Sequence, residues 1–175
     1  AGRAGNVRVG VGVTEAIRRH PVIVAQSMVT LAHMTKRAPI LGLGSGEREN
    51  TEPYGLSIER SVSRLEEALQ IIRACFGDER FINFHGEHFQ LDRAVMDLKA
   101  PPGRTPEIWL AAHGPRMLQL AGTYADGWYP AMKLPIDEYR EKLETVRAAA
   151  RNAGRDPNAI VPSMQLAVVI APSED

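Results

Sequence analysis

The sequence predicts an α/β fold built around a parallel β-sheet, and three observations lead to this prediction. Apolar patterns with the two-residue period of strands alternate with helical patterns along most of the 175 residues. Glycines and other small residues recur where the predicted strands end. The five predicted strands, each separated by a helix, fit either an open doubly wound sheet or an incomplete (β/α)8 barrel. Periodicity alone does not choose between these two architectures.

The composition favours small-molecule chemistry over other classes of function. The chain has 21 basic and 21 acidic residues, so its net charge is zero and it lacks the basic face typical of nucleic-acid binding. No apolar run reaches the roughly 18 residues that suggest a membrane span. The single cysteine, Cys75, has no disulfide partner in the chain, which favours a cytoplasmic setting. A small-molecule substrate is therefore expected, and a homodimer is one expectation for the assembly.

The first predicted strand, Val7–Val13, has one bulky face and one nearly bare face. Its valines alternate with Arg8, Gly10 and Gly12. In a parallel barrel the valines would pack against outer helices, and the bare face would leave room for a ligand at the mouth. A helix follows, because Pro21 suits a first helical turn and apolar residues recur at helical spacing after it.

The second predicted strand, Ile40–Gly44, repeats the glycine pattern. The helix after it, Ser57–Phe76, has the clearest apolar stripe of the chain and ends before Gly77. Alternating phenylalanines around His85 and Gly86 predict a hairpin, which is interpreted as an insertion around residues 78–106 in a single domain spanning 1–175.

Three further strands complete the predicted sheet. They are assigned to Glu107–Ala112, Asp126–Pro130 and Val161–Ala171. A short helix follows the first of these strands, and a longer one, Asp137–Ala153, follows the second. The glycines of the Ile40–Gly44 segment lack the G-x-G-x-x-G spacing of dinucleotide-binding folds, so the sequence disfavours a Rossmann site.

Two strand ends carry groups that could bind a ligand. The loop Ser45-Gly46-Glu47, with Asn50 three residues on, combines close backbone approach, hydrogen-bond donors and an acid. The alternative is an ordinary glycine turn in which Glu47 and Asn50 cap the next segment. The segment Ala112–Pro115 opens a helix whose free N–H groups suit a phosphate. Recurrence at separate strand ends favours a ligand site.

The histidines of the predicted hairpin do not indicate a metal site. His85 and His88 have no carboxylate or cysteine partners at metal-ligand spacing. The sequence therefore predicts no bound metal.

Several segments, taken in order, resemble the luciferase-like oxidoreductases, and more narrowly their branch that uses the deazaflavin coenzyme F420. They are VGVT, HPVIVAQ, ILGLGSGERENTEPYG, RLEEALQIIR, IWLAAHGPRMLQLAG and ADGWYP. The resemblance implies a (β/α)8 TIM barrel in which these strands are the third through seventh, with the other barrel units outside this sequence.

The resemblance also implies roles for particular residues. In relatives, the first of these strands carries a bulge, often with a non-prolyl cis peptide, that supports the ring from behind. Glu47 would be the acid that manages protonation of a ring nitrogen, and His113 departs from a glycine of relatives. The implied cofactor-binding residues are Val11, Gly12 and Thr14 behind the ring, Ser45, Gly46 and Asn50 beside it, and Ala112, His113, Gly114 and Pro115 at the phosphate-bearing tail.

Three hypotheses about function follow from the resemblance. The first is an F420-dependent enzyme that transfers a hydride to or from an alcohol, carbonyl or imine carbon. The second is an FMN-dependent monooxygenase of the same superfamily, and Glu47 favours the first over it because such monooxygenases often have an aromatic residue there. The third is a non-catalytic flavin-binding relative, which the presence of Glu47 and Asn50 disfavours.

Overall fold

The computed structural model of the chain describes residues 5–166 and 168–170. It contains a five-stranded parallel sheet and a separate two-stranded antiparallel hairpin. In chain order the elements are β1 (Gly10–Thr14), α1 (Pro21–Met34), β2 (Ile40–Leu43), α2 (Ser61–Phe76), β3 (Phe81–His85), β4 (Gln90–Val95), β5 (Glu107–Leu110), α3 (Pro115–Tyr124), β6 (Gly127–Trp128), α4 (Ile136–Asn152) and β7 (Val161–Pro162). Short 3-10 turns lie at Arg48–Asn50, Glu52–Tyr54 and Pro157–Ala159.

The order of the strands decides between the two architectures that the sequence left open. The sheet runs β1-β2-β5-β6-β7, so each strand lies beside the next strand of the sheet along the chain. A doubly wound sheet reverses its strand order at a switch point, whereas a (β/α)8 barrel adds each strand beside the previous one. The described sheet has no reversal, which is the topology of a barrel.

The first two strands approach each other closely because of two glycines. A Cβ added to Gly42 would lie 2.3 Å from the carbonyl oxygen of Val11, and one added to Gly10 would lie 2.5 Å from that of Ile40. The register shifts between Val11 and Thr14, and the Gly12–Val13 peptide bond is cis. The bulge implied by the resemblance is therefore present. The expectation that Gly10 leaves a bare ligand face is wrong, because its missing side chain makes room for β2.

The valines of β1 also differ from their prediction. Val11 and Val13 are 39% and 43% exposed instead of being packed under helices. In the described part of the chain β1 is an edge strand that pairs only with β2.

The core lies between the sheet and the helices. Leu41, Leu43, Ile108, Leu110 and Trp128 of the sheet are fully buried. Cys75 of α2 is also buried, which raises the pKa of its thiol to about 11, so it is an apolar filler with little thiolate character. Within the described ranges no helix is both long and apolar enough to cross a membrane.

Several element boundaries differ from prediction. The helix α2 begins at Ser61 and not at Ser57, because Arg60 adopts a left-handed conformation with a φ of 56°. The last strand is limited to Val161–Pro162, and residues 163–166 and 168–170 form no strand; Ala167 and Ala171 of the prediction lie outside the described residues. Pro162 lacks a backbone N–H, so it cannot donate to a ladder.

The hairpin between α2 and β5 pairs only within itself, and side chains of α2, chiefly the carboxylate of Glu67, connect it to the helix. Glu67 accepts hydrogen bonds from the backbone N–H groups of Glu87, His88 and Phe89 at 2.7, 2.9 and 3.0 Å. These residues belong to the connection between β3 and β4, which begins at Gly86 of the predicted His85-Gly86 turn, whereas His85 is the last residue of β3. The hairpin therefore depends on a side chain that no local pattern indicates.

Replacing Glu67 by Gln should loosen this connection. The amide retains one acceptor oxygen but loses the charge that serves three donors, so the free energy of unfolding should fall by about 1–3 kcal/mol. Chemical denaturation measures this change. The matched control is Glu141→Gln, an exposed glutamate of α4, and equal stability of the two variants would contradict the assigned role of Glu67.

Candidate functional site

A cavity of about 510 Å³ opens at the carboxyl ends of the parallel strands. This volume is in the range of small-molecule sites. Loops that follow parallel strands meet at one edge of a sheet, which is why distant segments of sequence share the cavity. Its lining residues are Gly12, Val13, Thr14, Glu15, Arg18, Gly44, Ser45, Gly46, Glu47, Asn50, Ala111, His113, Tyr129, Ala131 and Gln165.

The structure brings most of the predicted site residues into this lining and leaves others out. The residues that line it are Gly12, Thr14, Ser45, Gly46, Glu47, Asn50 and His113. Val11 lines a smaller neighbouring cavity instead, and Ala112 is buried with its carbonyl accepting a hydrogen bond from Trp128 Nε1 at 3.0 Å. Gly114 and Pro115 are exposed at the start of α3. The roles predicted for these four residues stay predictions.

The carboxylate of Glu47 is exposed and oriented by its own loop. Asn50 Nδ2 donates a hydrogen bond to Glu47 Oε2 at 2.8 Å. The fully buried Thr51 donates its hydroxyl to the backbone carbonyl of Glu47 at 3.0 Å. Asn50, which was assigned a contact near the ring, is thus within reach of the acid itself. Glu47 Oε1 receives no hydrogen bond from the described residues, so it is available to a ligand.

Sequence reasoning missed an ion pair between a buried carboxylate and a partly exposed arginine beside this loop. Glu15 is only 3% exposed, and Arg18 Nε donates to its Oε1 at 2.5 Å. This hydrogen bond, together with the negative charge of Glu15, raises the pKa of the Arg18 guanidinium. The i,i+3 spacing of a glutamate and an arginine directly after a strand end was the signal in the sequence. It did not indicate that the carboxylate would be buried.

At Gly46 the loop that follows β2 contacts the loop that follows β1. The φ of Gly46 is +95°, and an added Cβ would lie 2.9 Å from Ile17 Cδ1 and 3.3 Å from Glu15 Cγ. A side chain at this position would be strained and would press against the side chains of Ile17 and Glu15. Packing against Glu15 and Ile17, the residues that follow β1, therefore favours glycine at position 46, as does close approach of a ligand.

His113 connects the loops on the other side of the cavity. Its Nε2 accepts a hydrogen bond from the backbone N–H of Ala131 at 3.0 Å, and its carbonyl accepts one from Lys142 Nζ at 2.8 Å. The acceptor role of Nε2 places the ring proton on Nδ1. Arg116, which could have added charge here, pairs with Glu66 of α2 at 2.8 Å. His113 thus joins the loops after β5 and β6 to α4.

The histidines of the hairpin have ordinary partners. His85 Nδ1 pairs with Gln90 Oε1 at 3.2 Å, and His88 Nε2 pairs with Ser63 Oγ at 2.9 Å. Over residues 5–166 and 168–170, no group of three or more His, Cys, Asp or Glu side chains is arranged to hold a metal ion. The absence of a metal stays a prediction.

The floor of the cavity is backbone, which suits a flat ring system. A Cβ added to Gly12 would have no atom within 4 Å, although Gly12 lines the cavity, so any side chain there would take up ligand space. At Gly44 an added Cβ would touch only Val13 and Ala111, at 3.4 and 3.8 Å. The residues present therefore fit a planar cofactor that lies against the ends of β1 and β2.

The family model described as "Luciferase-like monooxygenase" matches residues 1–175, and the chain belongs to this family. It is 46% identical over 175 residues to a phthiodiolone/phenolphthiodiolone dimycocerosates ketoreductase of Mycobacterium sp. (strain JLS), covering 99% of this chain and 46% of that protein. It is 39% identical over 166 residues to an F420-dependent hydroxymycolic acid dehydrogenase of Mycobacterium tuberculosis (strain ATCC 25618 / H37Rv), covering 92% and 44%. The chain thus spans slightly less than half the length of these relatives.

Solved structures resemble the fold over most of the chain. An F420-dependent secondary alcohol dehydrogenase in complex with an F420-acetone adduct superposes with a TM-score of 0.81 at 26% identity, covering 90% of this chain and 48% of that one. The coenzyme F420-dependent tetrahydromethanopterin reductase of Methanopyrus kandleri gives 0.79 at 21% identity over 91% and 50%. EDTA monooxygenase from Chelativorans sp. BNC1 superposes with a TM-score of 0.78 at 18% identity, covering 92% of this chain and 43% of that one. At these low identities the monooxygenase and the reductase show the fold alone. The predicted barrel-type α/β fold is confirmed.

Replacing Gly46 by Ala should damage the site more than a similar change elsewhere. Gly55 also has a positive φ, of 71°, but an added Cβ there meets nothing within 4 Å. The contacts of Gly46 should therefore make Gly46→Ala about 1–3 kcal/mol more destabilising than Gly55→Ala. Thermal unfolding of the two variants provides the comparison, and equal melting temperatures would show that the β1 and β2 loops do not pack as described.

Proposed function

We propose that this protein transfers a hydride between coenzyme F420 and the alcohol, carbonyl or imine carbon of a small organic substrate. The observation that carries the proposal is the Glu47 carboxylate, which Asn50 orients in a cavity whose floor is glycine backbone. The two curated relatives support redox chemistry of this kind, since one is named as a ketoreductase and the other as an F420-dependent dehydrogenase.

The lining residues divide between holding the ring and holding the rest of the cofactor. When bound, F420 supplies or accepts the hydride at its ring. We assign Gly12 and Thr14 to the back of the ring and Ser45 and Gly46 to its edge. His113, joined to the loop after β6, would border the tail, and the free N–H groups at the start of α3 would bind its phosphate.

Glu47 is assigned the proton that accompanies hydride transfer. Oε2 accepts the hydrogen bond of Asn50, which fixes the plane of the carboxyl group and leaves Oε1 to hold or release a proton. Glu47 would then balance the charge that develops on a nitrogen of the cofactor ring. Because its carboxyl group is already positioned, it would lower the barrier to hydride transfer by electrostatic preorganisation. Asn50 acts in this scheme as a positioning residue for the acid.

An FMN-dependent monooxygenase is the competing function. The neighbours named as monooxygenases share the fold at identities such as 18%, whereas the relative named as F420-dependent is 39% identical. We therefore favour the deazaflavin.

Titration of the purified protein with F420 and with FMN, followed by absorbance, tests this choice. We expect F420 to bind and its absorbance to decrease with an alcohol substrate. Tight FMN binding with oxygen consumption would replace the proposal with the monooxygenase.

Replacing Glu47 by Gln should slow turnover by about 10²-fold while cofactor binding is largely retained. The amide keeps an oxygen that can accept the Asn50 hydrogen bond but cannot exchange a proton. Steady-state rates and the dissociation constant of F420 measure the two effects. Glu49→Gln is the matched control, because Glu49 is an exposed neighbour outside the cavity lining. An unchanged rate for Glu47→Gln would remove Glu47 from the mechanism.

A further inference from the structure

Arg18 is the single lysine or arginine among the described residues that line the main cavity. It lies in the loop between β1 and α1, and its side chain is 42% exposed. The other charged residues of the lining are Glu15, which is paired with it, and Glu47. Among the described residues of the lining, Arg18 is therefore the side chain that can form an ion pair with a negatively charged ligand group.

The guanidinium of Arg18 is held by the buried carboxylate of Glu15. Glu15 is 3% exposed and accepts the hydrogen bond from Arg18 Nε at 2.5 Å. A Cβ added to Gly46 would lie 3.3 Å from Glu15 Cγ, so the Glu15 side chain packs beside the loop that carries Glu47. The two terminal NH₂ groups of Arg18 make no hydrogen bond to another described residue. An arginine held by Nε alone presents those two groups as a planar fork, which matches an anionic oxygen.

The position of Arg18 in the fold indicates which part of a ligand it meets. It follows β1, at the same strand end as Gly12 and Thr14, whereas the segment that opens α3 follows β5, two strands away in the sheet. If the ring lies over β1 and β2 as proposed above, Arg18 is on the side of the ring and not of the phosphate-bearing tail. The deazaflavin ring carries an ionisable hydroxyl and gains negative charge when it accepts a hydride.

We propose that Arg18, anchored by Glu15, binds an anionic oxygen of the deazaflavin ring and stabilises the charged form of that ring. This inference rests on the proposed function, because it requires F420 in the cavity. The role differs from that of Glu47, which exchanges a proton, because an arginine stays charged and stabilises the anion without taking part in proton transfer.

The test replaces Arg18 by Met and measures binding of two probes. One probe is intact F420, and the other is the same chromophore without its phosphate-bearing tail. We expect Arg18→Met to weaken both about tenfold. The absorbance midpoint for ionisation of the bound ring should also rise by about one pH unit, since a nearby cation lowers the pKa of an acid by about that much or more. Glu47, His113 and Tyr129, the other titratable side chains of the lining besides Glu15, are unchanged in the variant.

Two further variants separate charge from structure. Arg19→Met removes the same charge from an exposed neighbour that lines only the smaller cavity. The dissociation constants of the two probes should therefore stay within about twofold of the native values. Arg18→Lys retains the charge without the Nε anchor, so its midpoint should stay closer to the native value than that of Arg18→Met. This variant keeps the test valid if Arg18→Met does not fold.

The outcomes distinguish this inference from the proposed function. Weaker binding of intact F420 alone would mean that Arg18 contacts the tail, and unchanged binding of both probes would mean no contact; either result overturns the inference while the proposed function stands. Failure of the native protein to bind either probe would overturn the proposed function and the inference together.

Discussion

The close approach of β1 and β2 is the constraint on which the site depends. Gly42 lets the carbonyl of Val11 come within 2.3 Å of where a Cβ would stand, and the backbone N–H of Gly44 donates to the carbonyl of Thr14 at 2.9 Å. Both strands therefore end at the same level. Their loops begin side by side, so Glu15 and Gly46 pack against each other although 31 positions of sequence, 46 minus 15, separate them.

Through this contact the two loops support each other beside the cavity. Glu15 is buried beneath Gly46, and the same carboxylate anchors the one cation of the described lining. Glu47 then extends from a loop that packs beside Glu15, and the buried Thr51 donates its hydroxyl to the Glu47 carbonyl. Such support suits the proton exchange proposed for Glu47, since small displacements of a reacting group reduce rates steeply.

A second set of polar contacts joins β5 to β6 at the starts of the two strands. Asp126 accepts hydrogen bonds from the backbone N–H of Ile108 and from Arg73 of α2, both at 2.8 Å. These contacts align the starts of β5 and β6, so the loops after the two strands reach the cavity together. His113 then joins these loops through Ala131. The cavity is thus bordered by loops that are each tied to a neighbouring element.

The sequence by itself determined the α/β class, the main helices and the segments of β1, β2 and β5, because their apolar periods are local properties of the chain. The positions of Glu47 and Asn50 at a strand end likewise indicated, before any geometry was known, two residues that line the cavity. The shortness of β7 could not be predicted, since a strand is defined by hydrogen bonds to a partner strand that no local pattern specifies. The same reason explains why Gly10 was misinterpreted: a glycine pattern does not say whether a ligand or another strand fills the space. Only the tertiary structure decided the strand order and the burial of Glu15, because both result from contacts between segments that no local pattern relates.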